Sequence, residues 1–502
     1  MRNILFQKFL LVVIFSVSLL YCSGQRKLPV ASLLEDAEFI KQHYLSMHVN
    51  PYGPCDSVTF HKAYHDFVRK LNRPMHEQEF YYLSSQFLGV VADNHTRIDI
   101  NPESIGLGDA LFRKLIYYDV EVRDNKLFVA SNYKKRSKIP EGAEIISING
   151  VSTDELLSNV RGCFGAHSTT LKYKQFASQF WFYTWKLLGM KGRFRTTYLD
   201  SEEKLQVEKK RGVGLIPLIY RRGHNSTPEQ SEPGSLLYDS LSTPVVWLTD
   251  TLLNQGSAQR SDYAYWQVKH SNTAIITFDH FDVPARNATI EHFFDTTFSL
   301  IQKAQPENLI IDLRNNSGGY VGLMPVLLKH FYQGPFRIAD SSKKVKITSE
   351  HVKWFNKYND TTWAECAKAY QGMLIAPDTT CLKSAFSCMD ITPDSIFYND
   401  FESIYVLTGP DTYSNALVFS DALRYNIPGA KVVGLPTLAM RCFYGSKMMM
   451  QIPHSGLYLS VSASHHISPY GKCDPNEVLE PDIWFSAKNL EEELYLLLNK
   501  QK

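Results

Sequence analysis

The sequence predicts a multidomain chain whose C-terminal half is an α/β domain, preceded by a helical segment and a β-rich segment. Three observations carry this. From about Tyr263 onward, apolar runs of strand length (TAIITF, NLIIDLR, SIYVLTG, AKVVGLPT) alternate with stretches of helical spacing (TIEHFFDTTFSLIQKA, GLMPVLLKHF, ALVFSDALRYN). That rhythm is the mark of a sheet buried on both faces by crossover helices. Between Ala31 and Val91 apolar residues recur at three- and four-residue steps, as in Leu33, Leu34, Ala37, Ile40 and Tyr44, and again in Phe60, Tyr64, Phe67 and Leu71. Between Ile116 and Val207 the runs are short and alternating (KLFVAS, RTTYLD), as half-buried strands are.

The elements follow in order along 502 residues. Arg2 and Lys8 precede an apolar run from Phe9 to Tyr21, then small and polar residues to Gln25. This is the layout of a secretory signal peptide, shorter than the roughly 20 residues of a membrane span. Residues 1–24 are therefore expected to be removed after Gly24, and the mature chain to be exported, periplasmic or extracellular. Cys22 offers a lipid attachment site, which bulky Tyr21 disfavours; only in that case is a membrane partner expected. Residues 25–110 form the helical part. Residues 111–210 hold the strand-rich part, in which GAEIISINGVSTDELL leads a strand through the tight-turn pair Asn149-Gly150 into a helix starting near Thr153. Residues 211–262 include HNSTPEQSEPGS and read as a linker or irregular insert. Residues 263–502 form the α/β domain.

Composition narrows the function classes. Lys and Arg number 53 and Asp and Glu 51, a net charge of +2. Nucleic-acid binding, which needs a basic excess, is not expected. With 44% hydrophobic and 13% aromatic residues the chain has ample apolar surface to fold. Of 8 cysteines, seven remain after cleavage, without a CxxC or a nearby histidine pair, so no metal or other cofactor is expected. Cys366, Cys381 and Cys388 lie in a polar stretch suited to one loop-closing disulfide; buried free thiols are the other reading.

Chemistry in α/β folds collects at the carboxyl ends of strands, and two such ends stand out. Asp312 to Gly319 read DLRNNSGG, a strand running into paired glycines, whose backbone N–H groups can face a ligand. Tyr405 to Ala416 read YVLTGPDTYSNA, placing Ser414 at the start of a helix, where the dipole favours developing negative charge. The alternative for Ser414 is a helix cap.

DLRNNSGG followed about 100 residues later by TYSNA resembles the tail-specific (C-terminal processing) serine peptidase family, in which a DLRxNxGG turn precedes a TxSA nucleophile segment. VVGLPT (Val432 to Thr437), LYLSVSASHHISPYG and the Pro481-Asp482-Ile483 segment resemble that family's later strands, and GAEIISING the start of its PDZ-like domain. The resemblance implies an α/β catalytic core of the ClpP/crotonase-like type, an N-terminal helical cap and a PDZ-like domain. It implies a secreted serine endopeptidase acting on extended or unfolded polypeptides. Ser414 would be the nucleophile, and backbone N–H groups at Gly318 or Gly319 and at Asn415 would form the oxyanion hole. The PDZ-like part would take up a peptide by strand addition.

The base departs from the family pattern. The lysine expected three residues after Thr437 is replaced by Met440, which cannot take a proton, and neighbouring Arg441 is too basic. Two residues can replace it. Lys447 lies four residues before Gln451, matching the family's lysine–glutamine spacing, and would need a longer loop and desolvation. His95, in Asp93-Asn94-His95-Thr96, resembles the D-G-H-T segment of divergent secreted members and is preferred, since imidazole titrates near neutrality. Asp93 and Glu477 are the acids considered for orienting it. Of His465 and His466, strand alternation allows one at most to face a site. The alternative function is a catalytically inactive peptide- or lipid-binding relative, with the aromatic run around Tyr173, Phe176 and Phe180 to Tyr183 lining a groove or a domain interface.

Overall fold

A computed structural model describes residues 27–100, 114–132, 137–214, 246–248, 263–268, 272–281, 287–339, 344–345, 388–393, 395–471, 473–474, 477–486, 493 and 496–498. The expected signal peptide, the HNSTPEQSEPGS stretch and Cys366 and Cys381 lie outside these residues. The chain divides into two compact units: the described parts of Met1–Ser46, Pro51–Ile219 and Met448–Val461, and those of Met47–Asn50, Tyr220–Lys447 and Ser462–Lys502.

In the first unit three helices come first, α1 (Val30–Met47), α2 (Ser57–Lys70) and α3 (Glu77–Leu88). Asp56 caps α2 by accepting the Thr59 N–H at 2.9 Å. Phe60, Phe67, Phe80 and Phe87 pack between α2 and α3, the Phe67 and Phe87 rings stacked at 5.4 Å. After β1 (Arg97–Asp99) come β2 (Tyr118–Arg123), β3 (Lys126–Asn132), β4 (Glu144–Ile148) and β5 (Val151–Ser152). Asn149 and Gly150 take positive φ, 54° and 87°, in the turn between β4 and β5, and Ser152 caps α4 (Thr153–Arg161). Then follow α5 (Thr169–Ser178), α6 (Phe180–Lys186), β6 (Arg193–Leu199) and β7 (Leu205–Arg211). The sheet order is β2-β3-β4-β6-β7, with β5 paired to β4. The aromatic run falls on α5 and α6, and Phe176 and Phe180 are wholly buried, with Phe180 stacked on Tyr118. Those two rings are core, not the lining of an open groove.

The second unit is built on a seven-stranded sheet. Its strands are β8 (Val246–Leu248), β9 (Tyr263–Val268), β10 (Thr273–Phe278), β11 (Asn308–Asp312), β15 (Ser403–Thr408), β16 (Lys431–Gly434) and β19 (Ile483–Trp484). They lie in the order β19-β16-β15-β11-β10-β9-β8. From β10 to β19 all neighbours run parallel, and β8 and β9 are antiparallel. The crossovers carry α7 (Asn287–Ala304), α8 (Leu323–Leu328) and α9 (Asn415–Asn426). Every residue of β11 is buried, as its continuous apolar run predicts. Leu309 and Ile311 pack with Val406, Phe294 and Phe419 on the helix-covered face, while Ile310, Tyr405, Leu407 and Val433 pack the other. Short strands β12 (Gly334–Arg337) and β14 (Cys388–Ile391) pair with each other. β17 (Phe443–Gln451) and β18 (Tyr458–His466) also pair, and β13 (Lys344–Val345) joins β18. The stretch joining the far ends of β17 and β18, Met448–Val461, belongs to the first unit, where Asp36 accepts the His454 and Ser455 N–H groups at 2.9 and 2.7 Å.

The disulfide expected among Cys366, Cys381 and Cys388 involves residues outside the described ones. Cys442 is bonded to Cys473, closing a 31-residue separation, and Cys55 and Cys163 are buried thiols. Burial pushes the Cys163 thiol up to about 12. No helix among the described residues is long and apolar enough to cross a membrane.

Candidate active site

Two parallel neighbours set the site. The ladder pairs Asp312, the last residue of β11, with Leu407 of β15, so the loops that follow leave the same sheet edge side by side. They are laced together. The Leu313 N–H donates to the Leu407 carbonyl at 2.9 Å, and the Tyr413 N–H to the Asn316 carbonyl at 3.0 Å. The Thr412 hydroxyl donates to the Leu313 carbonyl at 2.8 Å and accepts the Gly409 N–H at 3.0 Å. Thr412 and Asn316 are wholly buried, where each of these bonds satisfies a group that would otherwise be costly.

Each loop gets its shape differently. In the first, Arg314 forks onto Asp312, with Nη2 at 2.7 Å from Oδ2 and Nε at 3.0 Å from Oδ1. Asn316 donates Nδ2 to the Phe278 carbonyl and accepts the Gly318 N–H on Oδ1, both at 2.8 Å. Gly318 and Gly319 take φ of 93° and 138°. A Cβ on Gly318 would lie 2.7 Å from Ser414 Cβ and 2.8 Å from the Asn415 nitrogen, and one on Gly319 would collide with the Phe281 carbonyl. Glycine is required at both.

In the second loop the positive φ falls on Ser414 itself, at φ 53° and ψ −125°, a region non-glycine residues rarely adopt. Its side chain does not cap α9, so the cap reading fails. Among the described residues its hydroxyl accepts and donates no hydrogen bond. The sharp strand-to-helix turn thus presents Oγ at the head of α9, whose next eight residues, Ala416 to Leu423, are buried. A strained turn of this kind is what exposes a nucleophile above an α/β sheet.

Of the expected oxyanion donors, the Gly318 N–H is already given to Asn316. The Gly319 and Asn415 N–H groups make no hydrogen bond among the described residues. The Asn415 side chain donates to the Gly319 carbonyl.

Each expected base has its own surroundings. Met440, at the family's lysine position, pairs with Val478 in an isolated bridge. Arg441 is buried and forks onto Asp421 of α9, with Nη2 2.9 Å from each carboxylate oxygen, while Nη1 lies 2.8 Å from Glu477. Burial works against its charge, but Asp421 outweighs this and holds Arg441 above its usual range. Glu477 is therefore engaged by Arg441, a reason against its serving as the acid behind a histidine. Lys447 is half-buried on β17. His95 sits in the first unit, between α3 and β1, its carbonyl accepting the Ser460 hydroxyl at 2.8 Å. Asp93 accepts the His95 N–H at 2.9 Å and the Thr96 hydroxyl at 2.5 Å, while His95 Nδ1 stands 4.0 Å from Asp93 Oδ1. That separation is longer than a hydrogen bond, and Asp93 shapes the turn through the His95 N–H and the Thr96 hydroxyl. His465 stacks on Tyr444, and His466, which is buried, lies tilted against Phe443.

Residues 272–485 match the model of peptidase family S41. Residues 272–485 form a domain of this family, the tail-specific peptidases. The S41 segment begins at the start of β10 and ends past β19, enclosing both loops of the site. Among solved structures, mature CPAF is similar at 17% identity over 94% of this chain and 96% of that one, with a TM-score of 0.57. A point mutant of CPAF is similar at 14% identity over 94% and 96%, TM-score 0.59. Mature CPAF complexed with lactacystin is similar at 16% identity over 94% and 97%, TM-score 0.56. These likenesses are of fold. No curated protein sequence matches the chain. The S41 domain thus has the α/β fold of a serine peptidase family, with its glycine turn and serine turn in contact.

Sequence reading missed Asn316, Thr412 and the Asn415 side chain as parts of the site. The signal available was the asparagine in a glycine-rich turn, since Asn and Asp side chains habitually close such turns onto the backbone.

Proposed function

We propose that the chain is an exported serine endopeptidase that cleaves extended or unfolded polypeptides through a Ser414 acyl-enzyme, with His95 as the general base and the strand-rich part of residues 111–210 serving as a PDZ-like peptide-binding module. The observation that carries the reading is Ser414 held at φ 53° with an uncapped hydroxyl beside the Gly318–Gly319 turn. The Cys442–Cys473 disulfide supports export, because such bonds persist in oxidising compartments. The preference for His95 rests on the DNHT segment and on the engagement of Arg441 with Asp421 and Glu477.

In this mechanism Ser414 Oγ attacks the scissile carbonyl carbon while the base takes its proton. The carbonyl π electrons move to oxygen, and the oxyanion is met by the Gly319 and Asn415 N–H groups. Collapse breaks the C–N bond and the base's proton goes to the leaving amine. Water, deprotonated by the same base, then releases the acid and regenerates the hydroxyl.

The test uses the purified chain lacking residues 1–24, a fluorophosphonate probe and an unfolded polypeptide. Ser414→Ala should abolish labelling and cleavage; equal background in both proteins would leave the inactive, ligand-binding alternative standing. Replacing the base should lower kcat by about 10²–10⁴-fold. If that base is His95, His95→Ala shows the loss and removes the limb of the pH–rate profile in the imidazole range, while Lys447→Ala keeps both. The reverse outcome moves the role to Lys447.

A further inference from the structure

The Gly318–Gly319 turn is gripped by asparagine side chains from two elements. Asn316, buried, takes the Gly318 N–H and ties the turn to the end of β10 at Phe278. Asn415, the first residue of α9, donates its side-chain amide to the Gly319 carbonyl. The backbone on the far side is fixed as well. The Phe281 N–H donates to the Gly318 carbonyl at 2.8 Å, and the Tyr320 N–H to the Phe281 carbonyl at 2.8 Å.

Peptide planarity turns these bonds into a direction. In a trans peptide the C=O and N–H point opposite ways. With the Gly318 carbonyl aimed at Phe281, the N–H of the same peptide, that of Gly319, points away from Phe281. With the Tyr320 N–H aimed at Phe281, the Gly319 carbonyl also points away, which is where Asn415 receives it. The Gly318 N–H, already spent on Asn316, is out of play. Gly318 itself touches Ser414, since a Cβ there would meet Ser414 Cβ and the Asn415 nitrogen.

We propose that Asn316 and Asn415 are positioning residues for the oxyanion hole: their side chains fix the Gly318–Gly319 turn so that the Gly319 N–H, together with the Asn415 N–H, receives the developing oxyanion, and the Gly318 N–H does not. The role rests on the serine-peptidase reading above. The Asn415 clamp is a property of this chain: where the resembled TxSA segment has alanine, this sequence has an amide that reaches across to the glycine turn. A turn fixed before substrate arrives needs no reorganisation as charge develops, which is where an oxyanion hole gains its strength.

Two measurements test this. The first is amide hydrogen exchange on the Ser414→Ala chain, where activity plays no part. The Gly318 amide should be protected and the Gly319 amide not, and Asn316→Ala should remove the Gly318 protection. Gly318 exchanging as fast as Gly319 in the parent would overturn the clamp. The second is steady-state kinetics with a peptide substrate and its peptide-aldehyde analogue, whose hemiacetal oxygen occupies the oxyanion position. Asn316→Ala should lower kcat by about 10²-fold at unchanged KM, the size of losing one oxyanion donor, and weaken the aldehyde in proportion. Asn415→Ala and the isosteric Asn415→Asp should each lower kcat by about tenfold, a fraction of that effect because the Asn415 N–H remains. A rise in KM with kcat intact, or Asn415→Asp behaving like the parent, would overturn the positioning role. If Asn316→Ala does not fold, the two Asn415 variants carry the kinetic arm. A parent chain without Ser414-dependent turnover overturns the peptidase reading and the catalytic role with it, while the exchange pattern still decides whether the clamp exists.

Discussion

The turn after β11 and the turn after β15 solve the same problem in opposite ways. Both leave a parallel strand at one edge of the sheet, and both need backbone in the left-handed half of conformational space. The first places two glycines there, Gly318 and Gly319, where the absence of a Cβ makes positive φ nearly free. The second places Ser414 there, at φ 53°, at a cost of about 1–3 kcal/mol. The difference teaches where a side chain is indispensable. A turn that only has to lend N–H groups can discard its side chains; a turn that has to present a hydroxyl keeps one and bears the strain, with the buried Thr412 and Asn316 bonds holding it in place.

The comparison can be broken at its tightest point. Gly318→Ala puts a methyl against Ser414 and Asn415 at a φ that alanine resists. Strain and overpacking together are expected to cost about 2–6 kcal/mol, seen as a lower denaturation midpoint, with Ser414 labelling lost even where the chain still folds. A variant of near-parental stability and labelling would mean that the two turns are not in contact. A smaller effect is expected from Thr412→Val, which keeps the shape and deletes the hydroxyl. It leaves the buried Gly409 N–H without its acceptor, worth about 1–3 kcal/mol in chemical denaturation. The smallest effect has the opposite sign. Ser414→Gly removes the hydroxyl and the strain at once, so labelling should vanish while stability rises by about 1 kcal/mol, the middle of the strain estimate less the extra freedom of glycine in the unfolded chain. A stability loss in that variant would show that Ser414 is not strained after all.

Much of the second unit was legible. The strands TAIITF, NLIIDLR and SIYVLTG are β10, β11 and β15 almost to the residue, because a run of apolar residues of strand length has few ways to bury both faces other than in a parallel sheet. The stretch GLMPVLLKHF shortened to the six residues of α8. The aromatic run from Tyr173 to Tyr183 was ambiguous between groove and core, since periodicity reports that a residue is buried and not what buries it. The Cys442–Cys473 pair was not legible, because the two residues are distant in sequence and composition carries no signal of which cysteines meet.

The sequence by itself determined the chemistry on offer: a serine at a strand-to-helix turn, paired glycines at another strand end, and an α/β rhythm that puts strand ends where ligands bind. Those are local properties, set by residue type and by periodicity over a few turns of chain. Only the tertiary structure decided that the two strand ends are neighbours in register, that Ser414 stands uncapped at positive φ, and that Asn316 spends the Gly318 N–H while Asn415 holds the Gly319 carbonyl. The contact between the two turns depends on hydrogen bonds between segments about 100 residues apart, and direction across such a distance is set by packing, not by the order of the residues.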